Sequence, residues 1–318
     1  MARCDVCFRH CDISEGKLSF CGARTCINGT VVPATYGRLS AIMLDPIEKK
    51  PLSRFFPGSK VLSVGSFGCN LRCPFCQNSD ISWGEDSMEM TRRINACVVR
   101  QGGITALRMD APEEQQIEED EDMNIKGFVS PEWLAATAER YKDAGNLGIA
   151  FTYNEPLIGY EFVLDTAKLV HARGMKNVLV SNGTAELSVL EKLLPYIDAM
   201  NIDLKGFTDR YYSKVLGGDR RMVMDFIARG VQEAHVELTT LIIPGENDSE
   251  EEMRELSAWI ADLKDRSGER IGPGIPLHIS RFFPRFHMTD REATDVRRVY
   301  RLADIARERL QYVYTGNC

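Results

Sequence analysis

The sequence predicts a mixed α/β protein, a partial (β/α)6 TIM-like barrel with a small cysteine-rich N-terminal extension. From residue 60 onward, short apolar segments alternate with amphipathic ones, which is typical of a parallel sheet whose strands are connected by helices. Six such units follow one another, fewer than the eight of a complete barrel. The first 58 residues contain five cysteines and few apolar runs, as expected of a unit that has little core of its own.

The predicted strands are short and apolar, and they cover 61–64, 149–153, 177–180, 199–203, 236–243 and 276–282. Residues that favour helix ends lie between them. Ser130 and Pro131 suit a helix start, and Gly145 suits the end of the same helix. Thr289-Asp290-Arg291-Glu292 has the form of a capping box and predicts the start of the last helix. In folds of this kind the chemistry lies at the carboxyl ends of the strands, so the site is expected there.

Two domains are predicted: a cysteine-rich extension over 1–58 and a barrel over 59–318. Within the barrel, 84–127 is interpreted as an irregular acidic insertion. Between Asp110 and Asp122 it has eight acidic residues and no basic one, which accounts for the net charge of −7. A solvated loop is the expected role of this run, and a docking surface for a basic partner is the alternative.

The composition excludes several classes of protein. The sequence lacks the basic footprint of a nucleic-acid-binding protein. It has no run of about 18 apolar residues that could span a membrane, and its first residues do not resemble a secretory signal. We therefore expect a cytoplasmic protein that binds neither nucleic acid nor membrane. Disulfides are rare in that compartment, so the clustered cysteines, five in the first 26 residues and three over Cys69–Cys76, are candidate metal or iron–sulfur ligands.

The strongest motif is C-x3-C-x2-C, formed by Cys69, Cys73 and Cys76 directly after the first predicted strand. This spacing would also fit one face of a core helix. Gly68 and Pro74 argue against a helix, because both residue types disrupt regular helical structure. Three thiolates on one loop can hold one iron–sulfur cluster, and a cluster of four irons then keeps one iron open to another ligand.

This motif resembles the signature of the radical S-adenosylmethionine (SAM) superfamily. Within it the chain is similar to the group of pyruvate formate-lyase activating enzymes, and most to the radical SAM enzyme of the AmmeMemoRadiSam set. The resemblance implies a [4Fe–4S] cluster on the three loop cysteines, with SAM bound to the fourth iron. It covers nearly the whole chain and rests on the cluster motif and on Cys4-x2-Cys7-x3-Cys11, Cys21-Gly22-x-Arg24, 45–52, 152–156, 181–183, 203–205 and 243–245.

The resemblance also implies which residues contact SAM. Glu155 matches the acidic residue of the family's Gly-Gly-Glu-Pro segment and would accept a hydrogen bond from the SAM ammonium, although Tyr153 and Asn154 replace the two glycines. Ser181 would lie near the ribose or the carboxylate of SAM. Phe75, inside the cluster loop, would pack near the adenine; an ordinary core position is the alternative.

Three polar residues close the fourth predicted strand. Asn201, Asp203 and Lys205 alternate along the strand, so all three are expected to point into the barrel. By resemblance, Lys205 would meet the SAM carboxylate, Asp203 would lie near the reaction site, and Asn201 would contribute to the SAM pocket. A purely structural Asp–Lys pair is the alternative.

The N-terminal extension carries a second set of thiols. Cys4, Cys7, Cys11 and Cys21 have the spacing C-x2-C-x3-C-x9-C. Thiolates at such spacing fit a closed, tetrahedral structural zinc site. A second iron–sulfur cluster that relays electrons is the alternative.

The predicted activity is that of a radical SAM enzyme, in which reductive cleavage of SAM produces a 5′-deoxyadenosyl radical that abstracts hydrogen from a substrate. Flavodoxin or ferredoxin is the expected type of electron donor. One alternative for the substrate is a glycine of a protein partner, which would become a glycyl radical. Another is a small molecule or a protein that is modified together with AMMECR1- and Memo-like partners. A metal-binding scaffold without turnover is a third reading, against which the intact cysteines and Glu155 argue.

Overall fold

A mixed eight-stranded sheet is the centre of the computed structural model, which describes residues 1–100 and 128–318. The strands follow one another in space in chain order. The first two strands of the sheet pair antiparallel with each other, and every later pair of neighbouring strands in it is parallel. The strands of this sheet are β5 Ala41–Pro46, β6 Lys60–Gly65, β7 Asn146–Phe151, β8 Lys176–Ser181, β9 Ala199–Asp203, β10 His235–Ile242, β11 Leu277–Arg281 and β12 Val313–Gly316. Two short hairpins precede it, formed by β1 Ala2–Arg3 with β2 Asp12–Ile13 and by β3 Arg24–Ile27 with β4 Thr30–Pro33.

Helices connect the parallel strands. They are α1 Ser79–Ser82, α2 Glu85–Arg100, α3 Pro131–Arg140, α4 Tyr160–Ala172, α5 Leu187–Leu193, α6 Arg220–Gly230, α7 Glu250–Ala261 and α8 Val296–Arg307. The predicted start of α3 is confirmed, because the Ser130 side chain accepts a hydrogen bond from the Trp133 N–H at 3.1 Å. None of the helices within 1–100 and 128–318 has the length and apolar character needed to cross a membrane.

The predicted α/β class and the parallel strand order are confirmed, and all six predicted strands are present. The sheet is longer than predicted by one strand at each edge: β12 extends the parallel series, and β5 pairs antiparallel with β6. The protein is thus a partial barrel with one antiparallel edge strand.

The N-terminal residues pack on the barrel. Buried side chains of this segment, among them Cys4, Val6, Ile13 and Tyr36, belong to the same apolar core as the barrel helices. The buried guanidinium of Arg24 makes two hydrogen bonds of 2.8 Å to the carboxylate of Glu161 on α4. The extension thus shares the barrel's core.

The segment 47–55 fills the interior of the barrel at the amino ends of the strands. Ile47, Leu52 and Phe55 pack against small apolar residues that face inward from β6 to β9. The backbone N–H groups of Ser53 and Arg54 donate to the carboxylate of the fully buried Glu237 on β10, at 3.0 and 2.7 Å. His235 and His278 complete the contacts of this carboxylate, at 2.9 and 2.7 Å.

Two sequence predictions are corrected. The segment 84–127 was expected to be irregular, but α2 occupies its start because Thr91, Ile94 and Val98 form one buried face at helical spacing; the acidic run lies outside the described residues. The last helix does not begin at the capping box around residue 289. It begins at Val296, where the Asp295 side chain accepts from the Arg297 N–H at 2.8 Å.

Candidate active site

The loop that carries the three cysteines leaves the carboxyl end of β6 and is fixed by main-chain contacts. Gly68 has a φ of +92°, and a Cβ there would lie 2.4 Å from the carbonyl oxygen of Cys21, so glycine is required. The Cys69 N–H donates to that same oxygen at 3.2 Å, and the Arg72 N–H donates to the Leu216 oxygen at 2.8 Å. The loop therefore rests on the N-terminal extension on one side and on the segment after β9 on the other.

The three loop thiols lie near one another; Cys73 is buried, and Cys69 and Cys76 are partly exposed. Burial, followed by the charges of Glu155, Cys73 and Cys76, raises the pKa of Cys69. Burial raises the pKa of Cys73 to about 11, although the Lys205 ammonium acts in the opposite direction. Thiols of this kind ionise readily only when a metal replaces the proton.

Glu155 lies beside this loop, where β7 and β8 end. Its buried carboxylate accepts hydrogen bonds from the Ser181 hydroxyl at 2.8 Å, the Asn182 N–H at 2.8 Å and the Leu157 N–H at 3.0 Å. Burial, the largest effect, raises the pKa of Glu155 to about 7. The structure therefore brings Glu155 and Ser181 into direct contact, and the SAM contacts expected of both residues stay predictions.

Two asparagines, which the sequence analysis did not identify as site residues, connect the cysteine loop to the segment that follows β8. The Asn182 side chain donates to the Asn70 side chain at 2.9 Å and reaches the Cys69 sulfur at 3.7 Å. Asn70 in turn donates to the Thr184 carbonyl oxygen at 2.8 Å. Asn70 lies inside the cysteine motif, and this position was the available signal. The pair joins the cluster loop to the end of β8.

Asp203 and Lys205 form an ion pair of 2.8 Å at the end of β9. Burial disfavours the Lys205 ammonium, but Asp203 and Cys73 outweigh it and raise the pKa of Lys205. The Lys205 N–H also donates to the hydroxyl of Tyr212 at 3.0 Å, a contact that the sequence did not predict. Both charges thus lie within electrostatic range of the cluster loop.

Asn201 does not join this group. Its side chain donates to the Pro51 carbonyl oxygen at 2.8 Å and accepts from the Thr239 hydroxyl at 2.9 Å. The segment that fills the barrel occupies the Asn201 amide in this structure, and the SAM contact expected of Asn201 stays a prediction. Phe75 is buried in the main apolar core, and its place beside adenine stays a prediction.

The N-terminal thiols lie next to the cluster loop. The Cys4 N–H donates to the Cys11 oxygen at 2.9 Å, and the charges of Cys11 and Cys21 both raise the pKa of Cys4, after the larger effect of burial. The guanidinium of Arg9 lies within electrostatic range of the thiols of Cys7, Cys11 and Cys21, and also of the thiol of Cys69. The two sets of thiols are therefore close neighbours.

Over 1–100 and 128–318, no three His, Cys, Asp or Glu side chains are arranged to hold a single metal ion. A [4Fe–4S] cluster does not need such an arrangement, because each of its thiolates binds a different iron. The donor set itself fits an iron–sulfur cluster, because three free thiols of one loop lie within electrostatic range of one another.

The fold and the site place three candidate thiol ligands at the carboxyl edge of a parallel partial barrel. The chain belongs to the radical SAM superfamily, whose family model matches residues 63–257. Members of this superfamily use a [4Fe–4S] cluster and SAM, and the oxidoreductase-like activity expected from the sequence is that of the family.

Similar proteins support this assignment. An uncharacterized protein of Methanocaldococcus jannaschii is 35% identical over 99% of this chain and 81% of its own length. The pyruvate formate-lyase-activating enzyme of Clostridium pasteurianum is 25% identical over 54% of this chain and 73% of its own length. Among solved structures, Streptococcus suis SuiB matches 81% of this chain and 51% of its own with a TM-score of 0.51 and 13% identity, which shows a shared fold alone.

Proposed function

We propose that this protein cleaves SAM reductively and uses the resulting 5′-deoxyadenosyl radical to remove a hydrogen atom from a substrate. The observation that carries the proposal is the buried Glu155 carboxylate, which lies between the cysteine loop and the end of β8. A reduced [4Fe–4S] cluster, when bound, would supply the single electron for this cleavage.

Cys69, Cys73 and Cys76 would hold the cluster, and three thiolates leave one of four irons for SAM. Glu155 would accept a hydrogen bond from the SAM ammonium. Its raised pKa of about 7 favours this role, because a positive ligand next to a buried carboxylate stabilises the ionised form. Asn70 and Asn182 would hold the loop against this carboxylate.

Other residues at the strand ends would orient the rest of SAM. Ser181, already bonded to Glu155, would lie near the ribose or the carboxylate. Lys205 would exchange part of its contact with Asp203 for the SAM carboxylate, which leaves Asp203 at the reaction site. Phe75 would pack near the adenine. We also propose that the protein works in the cytoplasm, where the thiols of such a cluster loop stay reduced.

A second candidate function is activation of a protein partner by forming a glycyl radical on it. Two relatives favour this candidate, since both are named as activating enzymes: the Clostridium pasteurianum protein and the 4-hydroxyphenylacetate decarboxylase activating enzyme of Clostridium scatologenes. A flavodoxin- or ferredoxin-type protein would supply the electron. The remaining proposal is that the protein modifies a small molecule or another protein together with AMMECR1- and Memo-like partners.

We further propose that Cys4, Cys7, Cys11 and Cys21 bind a metal of their own. A structural zinc ion fits four thiols, and a second iron–sulfur cluster fits equally. The Cys69 N–H is bonded to the Cys21 oxygen, so either metal would stiffen the base on which the cluster loop lies.

The test is an anaerobic assay of the full chain with SAM and a strong reductant. We expect formation of 5′-deoxyadenosine and methionine, with loss of both and of the loop's iron in Cys73→Ala. The exposed Cys318→Ser is the matched control and should behave as the wild type. A fully iron-loaded protein that releases no 5′-deoxyadenosine would refute the proposal. A glycyl-radical signal in an added partner would identify the activase.

A further inference from the structure

We propose that Asp45 and Lys50 are positioning residues that hold Tyr153 in a left-handed backbone conformation and thereby fix the turn that presents Glu155. This inference rests on the proposed function, because Glu155 is taken as the acceptor for the SAM ammonium. It concerns three residues to which no role in the reaction has been given above.

Tyr153 has an unusual backbone. Its φ is +71°, in the region that bulky L-residues rarely adopt. Such conformations cost free energy and persist only where the surrounding structure enforces them. Tyr153 stands two residues before Glu155, so its backbone conformation determines where the chain carries that carboxylate after β7 ends.

The side chain of Tyr153 is held at both its hydroxyl and its ring. The hydroxyl donates to Asp45 Oδ2 at 2.7 Å, and Lys50 Nζ donates to the same oxygen at 2.7 Å. Lys50 Nζ also lies 4.6 Å from the centre of the tyrosine ring. Asp45 and Lys50 are each only 3% exposed, so this ion pair is protected from solvent and ions.

The sheet makes room for the ring. A Cβ on Gly65, the last residue of β6, would lie 2.9 Å from Tyr153 Cδ2 and 3.1 Å from its Cβ. Asp45 lies on the antiparallel edge strand β5, and its pairing with Val61 fixes it relative to β6. The tyrosine is therefore anchored to the rigid sheet.

The anchored turn is bonded directly to the cluster loop. The Tyr153 carbonyl oxygen accepts from the Asn78 side chain at 2.7 Å. The Asn154 side chain accepts from the Ser66 N–H at 2.9 Å and donates to the Gly68 oxygen at 3.2 Å. A relaxed φ at Tyr153 would move these groups and Glu155 together. The three residues therefore act on SAM through the backbone, without touching it.

The test compares variants in which the strain is kept with variants in which it is removed. Tyr153→Phe keeps the left-handed φ and the buried ion pair but removes the hydroxyl anchor. Tyr153→Gly removes the need for an anchor, because glycine adopts positive φ readily. Asp45→Asn is made both alone and in the Tyr153→Gly background. Lys49→Met is the matched control. Lys49 also contacts Asp45, with its Nζ 3.4 Å from Oδ1, but its side chain is exposed.

We expect Tyr153→Phe and Asp45→Asn each to raise the dissociation constant for SAM about tenfold, a change of about 1.4 kcal/mol. Tyr153→Gly should stay within about threefold of the wild type. In the Tyr153→Gly background, Asp45→Asn should not change the dissociation constant for SAM further. SAM affinity is measured by equilibrium dialysis with the iron-loaded full chain, and stability by urea denaturation of each variant. In both measurements the effects of substituting Asp45 and Tyr153 should be non-additive.

Two results would overturn the inference. One is unchanged SAM affinity in Tyr153→Phe, and the other is a loss in Tyr153→Gly as large as in Tyr153→Phe, because the hydroxyl would then not act through the backbone. If the iron-loaded wild type does not bind SAM at all, the proposed function fails instead. The denaturation cycle then decides the inference, and additive effects of Asp45→Asn and Tyr153→Gly would refute it.

Discussion

The backbone N–H of Cys69 donates a hydrogen bond of 3.2 Å to the carbonyl oxygen of Cys21. The first cysteine of the cluster motif is thus held by the N-terminal extension. Gly68 permits this approach, since a Cβ at that position would lie 2.4 Å from the same oxygen. The cluster loop and the extension are therefore one structural unit, although 48 positions separate the two cysteines in the sequence.

Gly68→Ala is expected to destabilise the protein by about 3 kcal/mol, since it combines a left-handed φ of +92° with a clash against backbone. Gly58→Ala is the matched control, because its φ is +83° but a Cβ there meets nothing within 4 Å. It should cost about 1–2 kcal/mol, the backbone strain alone. Urea denaturation of both variants measures the difference, and equal losses would contradict the close contact.

Glu155→Gln is expected to raise the dissociation constant for SAM at least about tenfold, because a neutral amide replaces the carboxylate. It should also cost about 1–3 kcal/mol of stability, since the new NH2 group competes with the donors that Glu155 now accepts. Equilibrium dialysis and urea denaturation measure the two effects. The exposed Glu269→Gln serves as control. Wild-type affinity in Glu155→Gln would remove Glu155 from the SAM site.

Lys205→Met tests whether the ion pair serves SAM or only the fold. It leaves Asp203 without its partner at 2.8 Å, so a loss of about 1–3 kcal/mol is expected. Adding Asp203→Asn should restore stability, because no unpaired charge then remains. SAM affinity should stay reduced in the double variant, as measured by equilibrium dialysis. If affinity returns together with stability, the pair is purely structural.

Glu237 makes stability depend on pH. Its contacts with His235, His278 and two backbone N–H groups outweigh burial and lower its pKa from 4.5 to about 2. A lowered carboxylate pKa contributes stability that is complete above pH 4.5 and is lost as the pH falls toward 2. The contribution is about 3 kcal/mol at neutral pH.

Glu237→Gln is therefore expected to be less stable than the wild type at pH 7, with the gap between them narrowing below pH 4.5. Denaturation curves at pH 7, 5 and 4 measure this gap. Glu269→Gln, at an exposed position, should show a constant difference from the wild type. A gap for Glu237→Gln that stays constant from pH 7 to 4 would contradict this account.

The strands and the cysteine loop could be predicted from the sequence, because both depend on local spacing. Glu155 and Ser181 meet because parallel strands β7 and β8 are neighbours and both residues stand at their ends. The adjacency of consecutive parallel strands is a general rule, so contacts between their ends follow from the chain order.

Contacts between distant segments could not be read in this way. Asn201 has the strand position of a SAM contact, but Pro51, 150 residues away, takes its amide. The bond between Tyr153 and Asp45 spans 108 residues, and the one between Asn70 and Asn182 spans 112. Such pairs depend on how segments far apart in the chain pack in three dimensions, which periodicity does not encode.

The long separation between Asn70 and Asn182 has a consequence for biosynthesis. A ribosome completes the extension and the three loop cysteines well before it reaches β8, so Cys21 is available to Cys69 early while Asn182 is still absent. The cysteine loop is therefore held on the side of the extension first, and gains its contact with β8 only after the second half of the barrel is translated.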